Sequence, residues 1–408
     1  MYEHILVAVD GCEQSRYAGQ AAVALARAAS ARVTVCHIYG VDIHRRRFSE
    51  MEPGLPPQYN SGQCLADLRS AHGKLMQEGF QALSAAYVEE LAASAACDGI
   101  AVESVVAEGR SYVGILNLAR ARKCDLIALG AEGLGAVGHG MLGGTTSRML
   151  QSAPCDLLVA RRAPTNGPVL TGVDGGAETL KAVAKAVSIG RTMKKPIHLV
   201  AAYDPDFHTR VFGVMAQSLS PERQSQVNLT SQVKLHDDLI NNGLQKLYAD
   251  FLRQAQQCTA TNGAVIKTCL ATGKPYRVLD AQAKACVADL IVVNRHGAHH
   301  QSDSRLGSNA EGLLRTTSAN VLLVGGIYAV PSDSKLTDVD AQTAPYATPL
   351  AWDSDAERRL QRVPSFVRSL ARRAVENAVR ELGRHHVSAG DFDKVAARFG
   401  MRERGADK

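Results

Sequence analysis

Two aspartates and a glycine-rich loop are the groups whose types and spacing could do chemistry in this chain. From Asp125 to Ser147 the sequence reads DLIALGAEGLGAVGHGMLGGTTS. Gly130, Gly133, Gly135, Gly138, Gly140, Gly143 and Gly144 separate a short apolar run from the hydroxyls of Thr145, Thr146 and Ser147. Glycine lets successive backbone N–H groups turn to one side, and a helix start favours negative charge, so strand, glycine loop and helix together read as a phosphate cradle. Glycine clusters are also ordinary loop punctuation. What separates the two readings is a second copy: Asp289 to Ser308, DLIVVNRHGAHHQSDSRLGS, repeats the frame 164 residues later, aligning Gly133 with Gly297 and Gly143 with Gly307. The same offset relates Ile5–Gly11 (ILVAVDG) to Val169–Gly175 (VLTGVDG) and Gly109-Arg110 to Gly273-Lys274. A constant offset at four separated places marks a tandem duplication. Asp10 and Asp174 then close equivalent strands, where an aspartate either contacts a ligand or caps the following turn.

Other chemistry is weaker. His296, His299 and His300 lie close together, but with no cysteine or carboxylate at ligand spacing they read as surface residues, and no metal site is expected. No serine sits in a nucleophile-elbow pattern such as G-x-S-x-G, and no second catalytic group recurs beside both aspartates. No catalytic residue is assigned, and slow hydrolysis of a phosphate ligand is the most that is expected. The nine cysteines are scattered singly, without C-x-x-C, and read as small buried hydrophobes.

The elements that must position these groups follow from apolar patterning. Ile5–Val9, Val33–Ile38, Ala101–Val106, Leu126–Leu129 and Cys155–Ala160 read as strands. Ser15–Ala31, Ala66–Ala95, Tyr112–Lys123 and Ser147–Gln151 read as helices. Long helices between strands call for right-handed crossovers and a parallel sheet covered on both faces. Ligands in such sheets sit at the carboxyl ends of the strands, where Asp10 and the glycine loop can converge. The stretch with His44-Arg45-Arg46-Arg47, Pro53, Pro56 and Pro57 reads as a surface loop, and Asp204–Val227 is a comparably enlarged connection in the second copy.

The expected organisation is one repeat over 1–163, a second over 167–326, a linker over 327–351 rich in Ser, Asp, Thr and Pro, and a helical module over 352–403. In that module Trp352–Gln361 and Pro364–Glu381 read as helices, with a stripe of Phe366, Leu370, Ala374, Ala378 and Leu382. Ser388 and Asp391 read as a capping pair for a last helix reaching Phe399. The last strands, Leu157–Ala160 and Val321–Val324, are apolar edges expected to pair with each other inside the chain.

Net charge is +6, with 13 Lys+Arg against 9 Asp+Glu from Trp352 onward and 33 against 31 before it. The repeats thus lack the basic surface of a nucleic-acid binder. The chain enters a strand within four residues, and its longest apolar run, Val321–Val330, is short for a bilayer. No membrane association and a cytoplasmic location are expected.

With an aspartate after the first strand and G-x2-G-x9-G-(S/T) loops, both copies resemble the universal stress protein family. The resemblance implies α/β architecture: two tandem, doubly wound, five-stranded parallel-sheet domains of adenine-nucleotide-binding type, followed here by a small all-α module. Family members divide between those that bind ATP and those that do not. The ATP-binding kind implies a site of Asp10, Ile38, Gly130, Gly133, Gly143, Gly144, Thr145 and Thr146, with Mg²⁺ accompanying the nucleotide. Its second-copy equivalents are Asp174, Asn294, His296, Gly297, Gly307 and Ser308. Departures are Gly144 in place of a hydroxyl residue, Glu132 where phosphate prefers a cation, and Asn294 in place of the first glycine. The first copy, with all three framework glycines, is expected to hold the nucleotide.

Trp352–Gly383, with RLQRVPSFVR followed by Glu376, resembles the small C-terminal domain of one component, the B protein, of light-independent protochlorophyllide reductase. No cysteine lies beyond Cys286, so iron–sulfur reductase chemistry does not come with it. Two functions stay open: a nucleotide-binding stress sensor or regulator, and a nucleotide-free scaffold presenting the C-terminal module to a redox or tetrapyrrole-related protein partner.

Overall fold

The computed structural model describes residues 1–59, 62–133, 141–259, 265–298, 305–327, 350–362, 372, 375–376, 378–380 and 382–398. The first repeat runs β1 (His4–Ala8), α1 (Glu13–Ala29), β2 (Arg32–Tyr39), α2 (Val41–Met51), α3 (Gly62–Cys97), β3 (Val102–Glu108), α4 (Ser111–Ala121), β4 (Leu126–Gly130), α5 (Gly144–Leu150), β5 (Asp156–Ala160). The second runs β6 (Val169–Val173), α6 (Thr179–Thr192), β7 (Ile197–Tyr203), α7 (Pro205–Gln217), α8 (Pro221–Gln226), α9 (Leu229–Asp238), α10 (Gln245–Thr259), β8 (Ile266–Thr272), α11 (Pro275–Ala285), β9 (Leu290–Asn294), α12 (Ser308–Thr316), β10 (Asn320–Val324). Each repeat is a doubly wound parallel sheet, and the two join into ten strands ordered β3-β2-β1-β4-β5-β10-β9-β6-β7-β8. Strands such as β1 and β4 are buried without alternation because helices cover both faces.

The repeats meet where β5 and β10 pair antiparallel, Leu157 with Leu323, Leu158 with Leu322 and Val159 with Val321. Leu158 and Leu322 are repeat equivalents, so a pseudo-twofold axis passes between them. Side-chain bonds obey the same symmetry. Asp156 accepts the Gly325 N–H (2.8 Å) and its equivalent Asn320 accepts the Arg161 N–H (2.9 Å). Arg161 also reaches across to the Leu314 carbonyl at 2.6 Å, while Arg295 reaches back to the equivalent Leu150 carbonyl. Each guanidinium thus meets the partner repeat's helix at its negative end.

Three expectations need correction. The stretch read as a surface loop is α2 followed by 3-10 turns at Glu52–Gly54 and Pro57–Tyr59. The enlarged second connection is likewise helical, α7 to α10 with a π-helical turn at Leu239–Leu244. Helix α2 is rich in charged residues, which leaves little apolar periodicity to read. Helix α5 begins at Gly144 rather than Ser147, so all three hydroxyl residues fall inside it. Linker residues 328–349 lie outside the described residues, as do Gly135, Gly138, Gly140, His299 and His300.

By contacts, residues 207–238 group with the C-terminal module rather than with the sheet. In the module, Trp352 belongs to a short strand, not a helix: β11 (Ala351–Trp352) pairs parallel with β12 (His386–Val387), adding a strand pair to what reads as all-α. Helix α13 (Ser354–Gln361) is capped by Asp353, and α14 (Ala389–Arg398) by the expected pair, Ser388 Oγ donating to Asp391 at 2.7 Å. Phe366, Leu370 and Ala374 lie outside the described residues. Of the stripe's other members, Ala378 is half-buried against the module core and Leu382 is exposed, while the fully buried positions are Val375 and Val379, which pack with Leu360 and Phe392. Among the described residues no helix is long and apolar enough to cross a membrane.

Asp391 makes the module acid-sensitive. The Arg384 guanidinium bonded to it holds its carboxyl down at about 2, against the opposing pull of burial, with Ser388 assisting. A depressed folded-state pKa contributes stability that is complete above the unfolded value, roughly 4, and is lost as pH falls through about 2. Trp352, the chain's single tryptophan, lies in this module with its indole N–H donated to Glu376 at 3.1 Å. Its fluorescence is expected to report unfolding across that acid window, and Asp391→Asn to flatten the pH dependence there. An unchanged acid profile in the variant would refute the assignment.

Candidate functional site

Sheet order decides where the site forms. Strands β4, β1 and β2 are neighbours, and their carboxyl ends, with the first turn of α5, enclose a cavity of about 550 Å³. All eight residues expected in the first copy line it: Asp10, Ile38, Gly130, Gly133, Gly143, Gly144, Thr145 and Thr146. The equivalent cavity of the second copy, about 500 Å³, is lined by Asp174, Asn294, His296, Gly297, Gly307 and Ser308. Each set comes from segments far apart in sequence.

The loops close alike. The Gly143 N–H donates to the Ala131 carbonyl at 2.8 Å, and the Gly307 N–H to the Arg295 carbonyl at 2.8 Å. Neither Gly130 nor Asn294 takes a positive φ; Gly130 instead lets the start of α1 approach, a Cβ there falling 2.9 Å from the Gln14 and Ser15 backbone, so Asn294 carries a Cβ where the first copy has none. Gly133 sits close against the aspartate: a Cβ there would lie 2.6 Å from Asp10 Oδ2, and one at Gly297 would lie 3.0 Å from Asp174 Oδ2, so a side chain at either place displaces the carboxylate or the loop.

The aspartates differ in how far the protein itself uses them. Asp10 accepts the Cys12 N–H at 3.1 Å. Asp174 accepts the Gly176 N–H at 3.0 Å, the Ala298 N–H at 2.9 Å and the Thr179 hydroxyl. Three of roughly four acceptor sites of a carboxylate are thereby filled in the second copy. The Cys12 thiol beside Asp10 is pushed up by burial and by that carboxylate, which keeps it protonated and unreactive.

Two site residues behave differently from expectation. The Thr146 hydroxyl donates to the Gly130 carbonyl at 2.8 Å and is buried, so its proton ties the helix to the strand end. Thr145 is half-buried on the cavity wall. Glu132 is neutralised: Arg161, following β5, lies 3.6 Å away, and both side chains are largely buried. Burial lowers the Arg161 pKa while Glu132 opposes that shift. In the second copy, Arg295 offers the cavity no charge, its guanidinium being turned to the Gly325 and Leu150 carbonyls.

Residues the sequence does not single out also line the cavities. His37, Ser15 and Ser111 line the first, and Tyr248, Thr179 and Glu311 the second. His37 precedes Ile38 on β2, and that adjacency is the one signal the sequence offers for it. Among the described residues no cluster of three metal-ligating side chains occurs.

Comparison with known proteins matches this architecture. The model of the universal stress protein family matches residues 1–161 and again 165–325, and that of the proto-chlorophyllide reductase 57 kD subunit matches 352–395. A universal stress protein of Thermus aquaticus is 30% identical over 162 residues, 40% of this chain and all of that one. The B protein of light-independent protochlorophyllide reductase from a Bradyrhizobium is 38% identical over 77 residues, 19% of this chain and 14% of that protein. The crystal structure of a universal stress protein from Archaeoglobus fulgidus covers 79% of this chain and 98% of its own at a TM-score of 0.50 and 14% identity, which speaks to fold.

Proposed function

The chain belongs to the universal stress protein family, and from that premise we propose that its first repeat binds an adenine nucleotide, ATP accompanied by Mg²⁺, as a sensor rather than as a catalyst. Universal stress proteins often bind adenine nucleotides. The observation that carries the reading to this chain is convergence: residues from β1, β2, β4 and the α5 turn line one cavity whose glycine loop is closed by the Gly143–Ala131 bond. Phosphate would be met by loop N–H groups, the ribose by Asp10 and the base near Ile38. Neutralisation of Glu132 by Arg161 removes the main electrostatic objection. The first repeat is favoured over the second because Asp174 is already bonded to its own repeat.

The test is direct. Protein purified without added ligand and then denatured is expected to release an adenine nucleotide, or, if stripped, to give saturable heat on titration with Mg-ATP. Stripped protein that shows no heat at millimolar ATP would overturn the reading. The match over 352–395 favours a second role beside this one: the C-terminal module docks a protein partner of redox or tetrapyrrole-related chemistry, with nucleotide occupancy as the input and that docking as the output.

A further inference from the structure

We propose that Arg148 is the cation that meets the terminal phosphates at the first cavity, standing in for the hydroxyl that Gly144 lacks and so setting the preference of this repeat for a triphosphate over a monophosphate. The inference rests on the nucleotide reading above and adds to it a specificity-determining residue.

The need comes from the walls. ATP brings a run of negative charge, yet no Lys or Arg is among the described residues that line the cavity. The charge of Arg161 is spent on Glu132. In the second copy Ser308 offers a hydroxyl at the start of its helix, whereas the equivalent Gly144 offers no side chain. A triphosphate in the first cavity must therefore find its charge partner at the rim.

Helix geometry puts Arg148 at that rim. Side chains of a helix lean toward its N-terminus, so residue 148 covers the turn that begins at 144. Its Nη1 lies 3.4 Å from where a Cβ on Gly144 would stand, and Gly144 lines the cavity. On the other side the guanidinium lies over the Tyr112 ring, 5.2 Å from its centroid. That contact orients the plane and leaves the N–H donors unused. Tyr112 follows Ser111, which lines the cavity and donates to the Ile38 carbonyl at 3.1 Å. The guanidinium thus bridges the first turns of α4 and α5, where both border the cavity.

Its donors are available to a ligand. Among the described residues its one hydrogen bond runs to the Gly144 carbonyl at 3.4 Å, the long limit for such a bond. The side chain is exposed, so turning to a phosphate costs little desolvation, and a guanidinium takes two oxygens of one phosphate at once. The second copy shows the converse arrangement. At the same offset Arg148 corresponds to Gly312 and Tyr112 to Tyr276, whose ring stands 2.9 Å from where a Cβ on Gly312 would be. One copy therefore has the hydroxyl without the guanidinium, and the other the guanidinium without the hydroxyl.

Calorimetric titration of the full chain with ATP and with AMP, each with Mg²⁺, tests this. Arg148→Ala is expected to weaken ATP binding about tenfold, the scale of one charge-assisted contact at an exposed rim, and to leave AMP binding close to wild type. Arg148→Lys keeps the charge but not the planar fork, so its ATP affinity should fall between the two. A loss for ATP matched by an equal loss for AMP would mean that the side chain only braces α5. ATP affinity unchanged in Arg148→Ala would mean that it only decorates the helix. Either result overturns the role of Arg148 and leaves the nucleotide reading intact, whereas binding of neither nucleotide by wild type overturns both.

Discussion

Asp10→Ala and Gly133→Val are expected to weaken ATP binding about ten- to hundredfold, whereas Asp174→Ala and Gly297→Val leave most of it. Asp10 lines the first cavity, and hydrogen bonds from ribose hydroxyls to a carboxylate contribute about 1.5–3 kcal/mol. At about 1.4 kcal/mol per tenfold, their loss is roughly a ten- to hundredfold change. Gly133→Val acts on the same group by a different route, because its Cβ would stand 2.6 Å from Asp10 Oδ2, and either the carboxylate or the loop must move. The second repeat responds through stability instead. Removing the Asp174 carboxylate takes the acceptor from the buried Thr179 hydroxyl and the half-buried Gly176 N–H, at about 1–3 kcal/mol for a donor left buried, while the exposed Ala298 N–H turns to water. Asp174→Ala should therefore lower the melting temperature with little change in ATP affinity. Calorimetric titration and thermal melts of the four variants separate the two effects, and the reverse ranking of affinities would refute the placement.

Much of this is legible in the sequence because duplication repeats it. The aspartate, the glycine frame and the last apolar strand each occur twice at one offset, and each falls where that repetition implies. What stays hidden are pairings between side chains far apart in the chain. Glu132 looks hostile to phosphate until Arg161, which no periodicity links to it, is found beside it. Thr146 looks like a phosphate ligand until its proton is seen committed to Gly130. The first glycine serves not a left-handed turn but the close approach of α1, a Cβ at Gly130 falling 2.9 Å from the Gln14 and Ser15 backbone, which the sequence of the loop does not reveal. Helix α2 reads as loop because prolines follow it immediately and its arginines mask any apolar face. The bond between His37 and Ser84, 47 residues away on α3, is equally invisible in the sequence.

The seam between repeats should behave as one cooperative core. Leu157 and Val159 point into the core cluster on one face of the sheet, with Val321 and Leu323, while Leu158 and Leu322 point into the cluster on the other. All six are fully buried. Truncating a buried leucine to alanine costs about 2–5 kcal/mol, the spread reflecting how far the cavity collapses. Leu158→Ala and Leu322→Ala are each expected to cost an amount in that range and to lower the stability of both repeats together, since either change opens the face that both share. The two leucines oppose each other across the antiparallel pair, so the cavities merge in the double variant. Its cost should depart from the sum of the single costs by about 0.5 kcal/mol or more, as for other residues in contact. Repeats that were merely tethered would behave otherwise: Leu158→Ala would shift one of two separate transitions, and the cycle would close additively. Denaturant melts of the four proteins, followed by hydrogen exchange of the β5 and β10 amides, distinguish a shared core from two beads on a string.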